Sequence, residues 1–230
     1  MFISNLENKQ LLKDSLDINL SEAQIQNCVL DELLFENHPW TTVSINNCNA
    51  NETVFHNQTL SDVTFFRSNL MNTKFIDCKL NAASFSGDTL IKTEWQNCRI
   101  QNMTLANCTM QKFTMNKVII TDSSFTNFEG IYCSINNVIF NNCKFDINYD
   151  SGMNGFSLGT MKNCIFNNCN FTGYPLRGIQ TDSCAFVNCY GEVTDDAQCK
   201  NTTGLSRFSV CENMTLNNKE NALSFINNWK

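Results

Sequence analysis

Large apolar residues recur in this sequence with a period of five. Reading every fifth residue from Leu20 to Phe145 gives 26 positions, and 24 of them hold a large apolar side chain, the exceptions being Ala50 and Gly130. Neither the 3.6-residue repeat of an α-helix nor the two-residue alternation of a β-strand produces this spacing. A second set of mostly smaller residues lies two places before these central positions. It consists of Ala23, Cys28, Val43, Cys48, Thr53, Val63, Ser68, Thr73, Cys78, Ala83, Cys98, Cys108, Ser123, Cys133 and Cys143.

Two inward and three outward residues in every five predict a short extended stretch followed by a turn. Four such sides close a coil of about 20 residues, and successive coils stack at the ~4.8 Å spacing of paired strands. Residues 20 positions apart then lie on the same side of the coil. The interior predicted in this way has Phe35, Phe55, Phe65, Phe75, Phe85, Trp95, Phe125 and Phe145 at central positions, and Cys28, Cys48 and Cys108 at small ones.

The turn chemistry has the same phase as the apolar residues. Asparagine, which tolerates the left-handed backbone region better than most residues, recurs two places after the central residue. It does so at 27, 37, 47, 57, 72, 97, 102, 107, 127, 137 and 142. We therefore expect a left-handed residue at each corner of the coil.

These motifs resemble those of the bacterial pentapeptide-repeat family, whose unit is a small residue, a polar residue, Leu or Phe, and two polar residues. The stretches FNNCKF (140–145) and FNNCNF (166–171) match it closely, and the resemblance covers roughly residues 18–191. It implies an all-β fold, a right-handed quadrilateral parallel β-helix with short terminal caps. A fold of this kind does not by itself imply a function.

A polar, glycine-containing segment interrupts the repeat. The register is unbroken from 20 to 145, fails over 146–155 and resumes one residue out of phase at Phe156. We predict an outward loop here, because the segment is polar and contains glycine. Loops on a rigid scaffold often carry binding residues. A tolerated insertion without function is the alternative. The candidate partner-binding residues of this loop are Asn148, Tyr149, Asp150, Met153 and Asn154.

The open ends of a stacked solenoid need covers. We predict an N-terminal cap, helical or irregular, over 1–17, the repeat β-helix over 18–191, and a C-terminal cap over 192–230. Within the last part, Ala222, Phe225, Ile226 and Trp229 follow the i, i+3, i+4, i+7 spacing of an amphipathic helix. This helix is expected to cap the solenoid. A homodimer contact, or a link to a further domain, is the alternative.

No group of residues predicts catalysis, a metal site or a cofactor. Eleven of the 13 cysteines, all but Cys199 and Cys211, lie at small inward positions, where a thiol packs as a small apolar group. The histidines are His38, predicted to point inward, and His56, predicted to point outward on another side. Asp88 lies at an inward position and needs a hydrogen-bond partner or a local bulge. We expect a non-enzymatic protein without a cofactor.

Composition restricts the partners and the location. The formal net charge of −6 argues against a general nucleic-acid binder, which would carry a basic patch. The first residues lack the basic and apolar regions of a secretory signal, and no stretch is long and apolar enough to span a membrane. We expect a location in the bacterial cytoplasm, or secretion into a host cell by a specialised system that does not use such a signal.

Three functions remain open from the sequence. The first is a protein–protein interaction scaffold, most plausibly a bacterial effector acting on a host protein, since injected effectors with such helices resemble this chain. The second is a DNA mimic that binds DNA gyrase or topoisomerase IV. Residues 20–145 carry 11 Asp or Glu and 8 Lys or Arg, which is too little negative charge to copy a duplex along the whole rod. The third is a housekeeping scaffold with one protein partner.

Overall fold

The computed structural model describes residues 2–4, 20–148, 152, 154–192 and 198–200. These residues form 27 short strands, and they contain no helix. The strands are β1 Phe2–Ser4, β2 Gln24–Gln26, β3 Leu34–Glu36, β4 Trp40–Thr41, β5 Ser44–Asn46, β6 Val54–His56, β7 Thr59–Ser61, β8 Thr64–Phe66, β9 Lys74–Ile76, β10 Lys79–Asn81, β11 Ser84–Ser86, β12 Glu94–Gln96, β13 Arg99–Gln101, β14 Thr104–Ala106, β15 Thr114–Thr121, β16 Ser124–Thr126, β17 Glu129–Ile131, β18 Ser134–Asn141, β19 Lys144–Asp146, β20 Gly155–Ser157, β21 Thr160–Lys162, β22 Ile165–Asn167, β23 Asn170–Thr172, β24 Gln180–Asp182, β25 Ala185–Val187, β26 Tyr190–Gly191 and β27 Gln198–Lys200.

The strands pair in parallel with residues 20 positions further along the chain. Phe65 lies opposite Phe85, and Phe85 lies opposite Leu105. Four such columns run along the molecule, and we number them by their first central residues. Side 1 begins with Ile25, side 2 with Leu30, side 3 with Phe35 and side 4 with Trp40. The fold is therefore an all-β parallel solenoid of about eight coils, as the five-residue period predicts.

The interrupted register appears as a longer coil. Gly130 pairs with Phe156, and Ile135 pairs with Met161, so the partners lie further apart in the chain than in the regular coils. This coil has six extra residues between β19 on side 1 and β20 on side 2. Beyond them the regular spacing returns, with Phe166 opposite Phe186.

The central aromatic rings form short stacks inside the solenoid. On side 3, Phe55 and Phe75 stack with centroids 4.7 Å apart, and on side 1, Phe65 and Phe85 stack at 5.0 Å. Rings from the two sides meet edge to face, as Phe65 and Phe75 do at 6.3 Å. Such offset and T-shaped pairs are favourable arrangements of aromatic quadrupoles. The predicted core residues, Phe35, Phe55, Phe65, Phe75, Phe85, Trp95, Phe125, Phe145, Cys28, Cys48 and Cys108, are all buried.

Several hydroxyl and thiol groups at the small positions donate to carbonyl oxygens of the preceding coil. The Thr53 hydroxyl donates to the carbonyl oxygen of Leu30 at 2.6 Å, and Thr73 donates to Ala50 in the same way. The Cys78 thiol donates to the carbonyl oxygen of Phe55 at 3.2 Å. Ser, Thr and Cys can therefore occupy an apolar interior without leaving an unpaired donor, which would cost about 1–3 kcal/mol.

Phenylalanine also occupies two of the small positions, at Phe113 and Phe128, which the sequence pattern did not predict. Phe113 packs edge to face on Trp95 at 5.0 Å, and Phe128 packs on Phe156 at 4.7 Å. Gly130 makes room for the second pair, because a Cβ at this central position would lie 2.8 Å from the Phe156 ring. The large Phe128 at the small position is thus matched by glycine at the central one.

Left-handed residues mark the corners of each coil. Asn27, Asn47 and Asn57 have φ values between 49° and 55°, and the same conformation recurs every five residues through Asn142. Asparagine is common here because its side chain reduces the cost of this backbone region. The expected left-handed corners are confirmed.

His38 does not point inward, and this part of the sequence interpretation was wrong. The side chain is exposed, although the residue precedes the central Trp40 by two places. Pro39 has no N–H for the ladder, so β4 begins only at Trp40, while its partner β7 begins one position earlier in register, at Thr59. An imidazole turned inward would also need a buried partner. His56 lies on the outer surface, where it was expected.

Strand pairing extends into both predicted caps. Phe2–Ser4 pairs with β2, and Ile3 packs partly against the core. Gln198–Lys200 pairs with β24 after a slightly shorter coil, since Cys199 lies in register with Thr181. The repeat pattern follows apolar central residues, and the central residue here, Thr181, is polar. The pairing is made by the backbone, so the pattern does not show it. The predicted C-terminal helix lies outside the described residues, and the boundaries at 17 and 191 remain predictions.

We expect Gly155→Ala to destabilise the protein much more than Gly87→Ala. Both glycines have a left-handed φ, 64° and 68°, so both substitutions carry about 1–2 kcal/mol of backbone strain. Only at Gly155 would the new Cβ also meet backbone, 2.4 Å from the Pro175 carbonyl oxygen, which adds about 1–3 kcal/mol. At Gly87 the nearest atom is Arg67 Cγ at 3.6 Å. Guanidinium unfolding followed by circular dichroism checks this, and equal losses would contradict it.

Candidate partner-binding surface

Three interior thiols, those of Cys48, Cys108 and Cys133, are held in their protonated, unreactive form. Burial raises the pKa of Cys48 to about 11, and raises those of Cys108 and Cys133 to about 12. A thiol reacts as the thiolate, so a raised pKa and burial together suppress nucleophilic chemistry at neutral pH. The eleven cysteines other than Cys199 and Cys211 are all free and buried.

The cysteines at 164, 169, 184 and 189 divide between two corners of the coil. Cys164 and Cys184 precede side 4, and each donates its thiol proton to a backbone carbonyl oxygen, at 3.3 and 3.5 Å. Cys169 and Cys189 precede side 1 and do the same, at 3.5 and 3.3 Å. The regular coil length accounts for their spacing. Across the described ranges no cluster of His, Cys, Asp or Glu could hold a metal ion.

Asp88 is a buried carboxylate held by backbone donors. Its side chain is 1% exposed, and it accepts the N–H groups of Ser68 at 2.6 Å and Ser86 at 2.9 Å. Burial outweighs these two bonds and raises its pKa to about 7. The carboxylate therefore has the hydrogen-bond partners that the sequence required. It lies inside the coil, and its role is structural.

The outer surface of the coil is polar and largely uncharged. Asparagine side chains stack one coil above another and bond by their amides, for example Asn47 to Asn27 at 2.7 Å and Asn57 to Asn37 at 2.6 Å. His56 lies between Glu36, at 2.7 Å, and Asp77, at 3.6 Å. The hydrogen bond that the imidazole donates to the Glu36 carboxylate raises the pKa of His56. These exposed pairs contribute little net stability.

One edge of the solenoid carries exposed apolar side chains. Tyr132 and Leu158 lie on successive coils at the corner between sides 2 and 3, and they are 58% and 61% exposed. Both adopt the left-handed conformation, with φ of 57° and 52°, at positions where Asn is common. Ile131 is next to Tyr132 in the chain and is half-buried, and Ile91 and Met71 point outward from side 2 two and three coils earlier, with Gln111 between them and Ile131. We call these five residues, Met71, Ile91, Ile131, Tyr132 and Leu158, the apolar edge.

Clustered exposed apolar residues are typical of protein-binding surfaces, whereas single ones are ordinary. Tyr132 and Leu158 also occupy a backbone region that costs an L-residue about 1–2 kcal/mol. Bulky apolar side chains therefore hold a solvated position where Asn would be more stable. Strain of this kind is often found at functional sites.

The apolar edge and the predicted loop border the same side. The longer coil has its six extra residues between the strands of sides 1 and 2. The strand of side 2 begins at Gly155, three residues before Leu158. Side 2 of this coil thus has the loop at one corner and Leu158 at the other. The sequence located the loop, but it did not indicate the edge, whose residues are outward and scattered in the chain.

Two of the five candidate loop residues can be described. The Asn148 N–H donates to Asn127 Oδ1 at 2.8 Å, and Asn154 is exposed. Tyr149, Asp150 and Met153 lie outside the described residues. The loop therefore remains a proposed binding element, with one end attached to the corner of side 1.

The five-residue period, the regular parallel register and the inward residues define the class to which the chain belongs. It is a repeat scaffold built as a parallel β-solenoid, and its five-residue period resembles that of pentapeptide-repeat proteins. In the part of the chain that the structure describes, no helix is long and apolar enough to cross a bilayer.

Solved structures with similar backbones include a pentapeptide-repeat protein, a fluoroquinolone resistance protein and a module of an epimerase. HetL, a pentapeptide-repeat protein involved in heterocyst differentiation regulation in the cyanobacterium Nostoc sp. strain PCC 7120, is 7% identical with a TM-score of 0.48, over 86% of this chain and 92% of that one. Full-length QnrB1, a plasmid-mediated fluoroquinolone resistance protein, is 12% identical with a TM-score of 0.38, over 98% and 96%. The A-module of the Azotobacter vinelandii mannuronan C-5 epimerase AlgE4 is 8% identical with a TM-score of 0.33, over 80% and 72%.

No family model matches the chain, and no curated protein is significantly similar to it in sequence. The assignment to the class therefore rests on the register of the chain itself.

Proposed function

We propose that the protein is a non-enzymatic scaffold that binds another protein through side 2 and the apolar edge. The observation that carries this proposal is the exposure of Tyr132 and Leu158, at 58% and 61%, in a left-handed backbone that favours Asn. Tyrosine is one of the residue types that are enriched among the few positions that dominate the binding energy of an interface.

The charges beside the edge indicate the chemistry of the partner. Lys92 and Lys112 occupy the two corner positions that precede Tyr132 in the same column, and both are exposed. A partner surface with apolar side chains next to carboxylates would complement this arrangement. The two lysines also interrupt any acidic stripe along this corner, which favours a protein ligand over mimicry of DNA on this side.

We propose further that the partner is a host protein and that the chain is a bacterial effector delivered by a specialised secretion system. A scaffold that remains in the bacterial cytoplasm is the alternative location. The alternative partner is DNA gyrase or topoisomerase IV, bound through a surface that mimics DNA. A homodimer through the C-terminal segment is compatible with either partner.

Affinity capture from two lysates tests the function. Tagged full-length protein serves as bait in a bacterial and a mammalian lysate, and bound proteins are identified by mass spectrometry. We expect specific enrichment of a mammalian protein and no topoisomerase. Enrichment of gyrase or topoisomerase IV from the bacterial lysate would instead support the DNA-mimic function.

The double substitution Tyr132→Asn and Leu158→Asn should abolish capture of the partner without unfolding the scaffold. Asn suits the left-handed corner, so stability is expected to stay the same or rise by up to about 1 kcal/mol. Phe66→Ser is the matched control, because Phe66 is an exposed apolar residue on side 1, 39% exposed, in the column that contains Ser86. Capture by the control and loss by the double variant supports the proposed surface. Equal capture by both variants would refute it.

A further inference from the structure

A column of charged residues runs along the corner between sides 2 and 3. Each coil places one left-handed residue at this corner, and its backbone N–H donates to the next coil, as that of Glu52 does to the Met71 carbonyl oxygen at 2.9 Å. Over five successive coils the column consists of Glu32, Glu52, Asn72, Lys92 and Lys112. It therefore begins with two acids, passes through one neutral residue and continues with two bases.

The charged side chains of this column are in contact with solvent. Both acids and both bases are exposed. Within the described part of the chain, Glu52, Lys92 and Lys112 form no ion pair or hydrogen bond through their side chains. By contrast, Lys74 and Glu94, beside the column on side 3, pair with each other at 3.6 Å. The charges of the column are therefore available to a second molecule.

The order of these charges is unfavourable within a single chain. Glu32 lies one coil from Glu52, and Lys92 lies one coil from Lys112, which is ~4.8 Å at the strand spacing. Like charges at this distance repel each other, whereas acids that alternated with bases would attract. All four residues also have a left-handed φ, between 54° and 60°, where Asn is less costly. The stability of one chain therefore does not account for two acids followed by two bases.

The same order is complementary to itself when two copies lie side by side in opposite directions. With Asn72 at the two-fold axis, Glu52 faces Lys92 of the second copy, and Glu32 faces Lys112 of the second copy. Symmetry repeats both contacts, so four pairs of opposite charge form. A parallel arrangement would place acids on acids, and a slide by one coil would leave two pairs. Charge complementarity therefore selects one direction and one register.

We propose that two copies of this chain associate side by side and antiparallel along this corner, with the two-fold axis at Asn72. Exposed ion pairs add little affinity, but they fix orientation and register. Leu34 and Met71, which lie beside the column and are 46% and 36% exposed, supply apolar area to the contact. The inference goes beyond the proposed function, because the four charged positions are separate from Tyr132 and Leu158.

Sedimentation velocity of the full-length protein tests the association. It is measured at about 10 mM and at about 1 M salt, where the Debye lengths are about 30 and 3 Å. We expect a species of twice the chain mass at low salt, and a dissociation constant at least tenfold weaker at high salt. A chain that is monomeric at low salt, or a dimer that salt does not weaken, would overturn the proposal.

Two double variants with exchanged charges test the register. Glu32→Lys with Glu52→Lys gives a column with four bases, and Lys92→Glu with Lys112→Glu gives a column with four acids. Each variant alone should be monomeric at low salt, and an equimolar mixture should restore the dimer. Glu and Lys both already occupy this left-handed corner, so the strand signal in circular dichroism should stay unchanged.

The matched control is Lys79→Glu with Lys144→Glu, which changes the net charge as much as the four-acid variant does. Lys79 lies on side 4 and Lys144 on side 1, away from the column. The control should still form the dimer at low salt. A dimer that survives in both exchanged variants, a mixture of them that stays monomeric, or a monomeric control would overturn the proposal.

Discussion

Phe75→Ala is expected to lower the free energy of unfolding by about 3–5 kcal/mol, which is the usual cost of removing a buried ring. The Phe75 ring stacks on Phe55 at 4.7 Å and meets Phe65, Phe85 and Trp95 at 6.1–6.3 Å. Each coil is stabilised mainly by its neighbours, so the cavity weakens several coils at once. Denaturant unfolding followed by circular dichroism gives the free energy difference.

The matched control for this prediction is Phe66→Ser. Phe66 is also a phenylalanine in the middle of the solenoid, but it lies outside, where its ring faces the Arg67 guanidinium at 4.9 Å. Its loss should cost no more than about 1 kcal/mol. If Phe75→Ala cost as little as Phe66→Ser, the stacked interior would not be the main source of stability.

The second large effect is a loss of stability as the pH rises. The folded-state pKa of Asp88 is about 7, above the ordinary value of 3.8, because its carboxylate is buried. The folded state therefore binds this proton more tightly than the unfolded state does. The stability due to Asp88 is fully present below about pH 4 and is lost as the pH rises through about 7. A pKa difference of about three corresponds to about 4 kcal/mol at most.

Asp88→Ser isolates this contribution. Ser68, one coil earlier in the same column, already shows that a hydroxyl fits, since its Oγ accepts the Cys48 N–H at 3.2 Å. We expect the variant to be more stable than the wild type at pH 8 and to have a flatter profile between pH 4 and 8. His56 titrates in both proteins, so the difference between the two profiles removes its contribution. Parallel profiles would show that Asp88 does not titrate in this range.

The interior of the solenoid could be predicted from the sequence because its cause is local and periodic. An apolar residue every five positions, a small residue two places before it, and Asn at the corners all state the same geometry in every coil. The break in register at the insertion was visible for the same reason, and it corresponds to the longer coil. Where the pattern fails the cause is also local, as with Pro39, which shortens β4 and leaves His38 outside.

The candidate binding surface could not be predicted in this way. Tyr132 and Leu158 lie on either side of the insertion in the sequence. They become neighbours only because the longer coil, with its six inserted residues, brings them into register. Outward residues carry no periodic constraint, so their apolar character resembles ordinary surface variation until the sides of the coil are known.

The most direct test of the account is the dissociation constant of the captured partner for the wild type and for the Tyr132→Asn, Leu158→Asn double variant, measured by calorimetry with purified proteins. Binding through the apolar edge predicts at least a tenfold weaker complex, about 1.4 kcal/mol or more, while Phe66→Ser binds as the wild type does. An unchanged dissociation constant for the double variant would contradict the account and place the interface elsewhere on the solenoid.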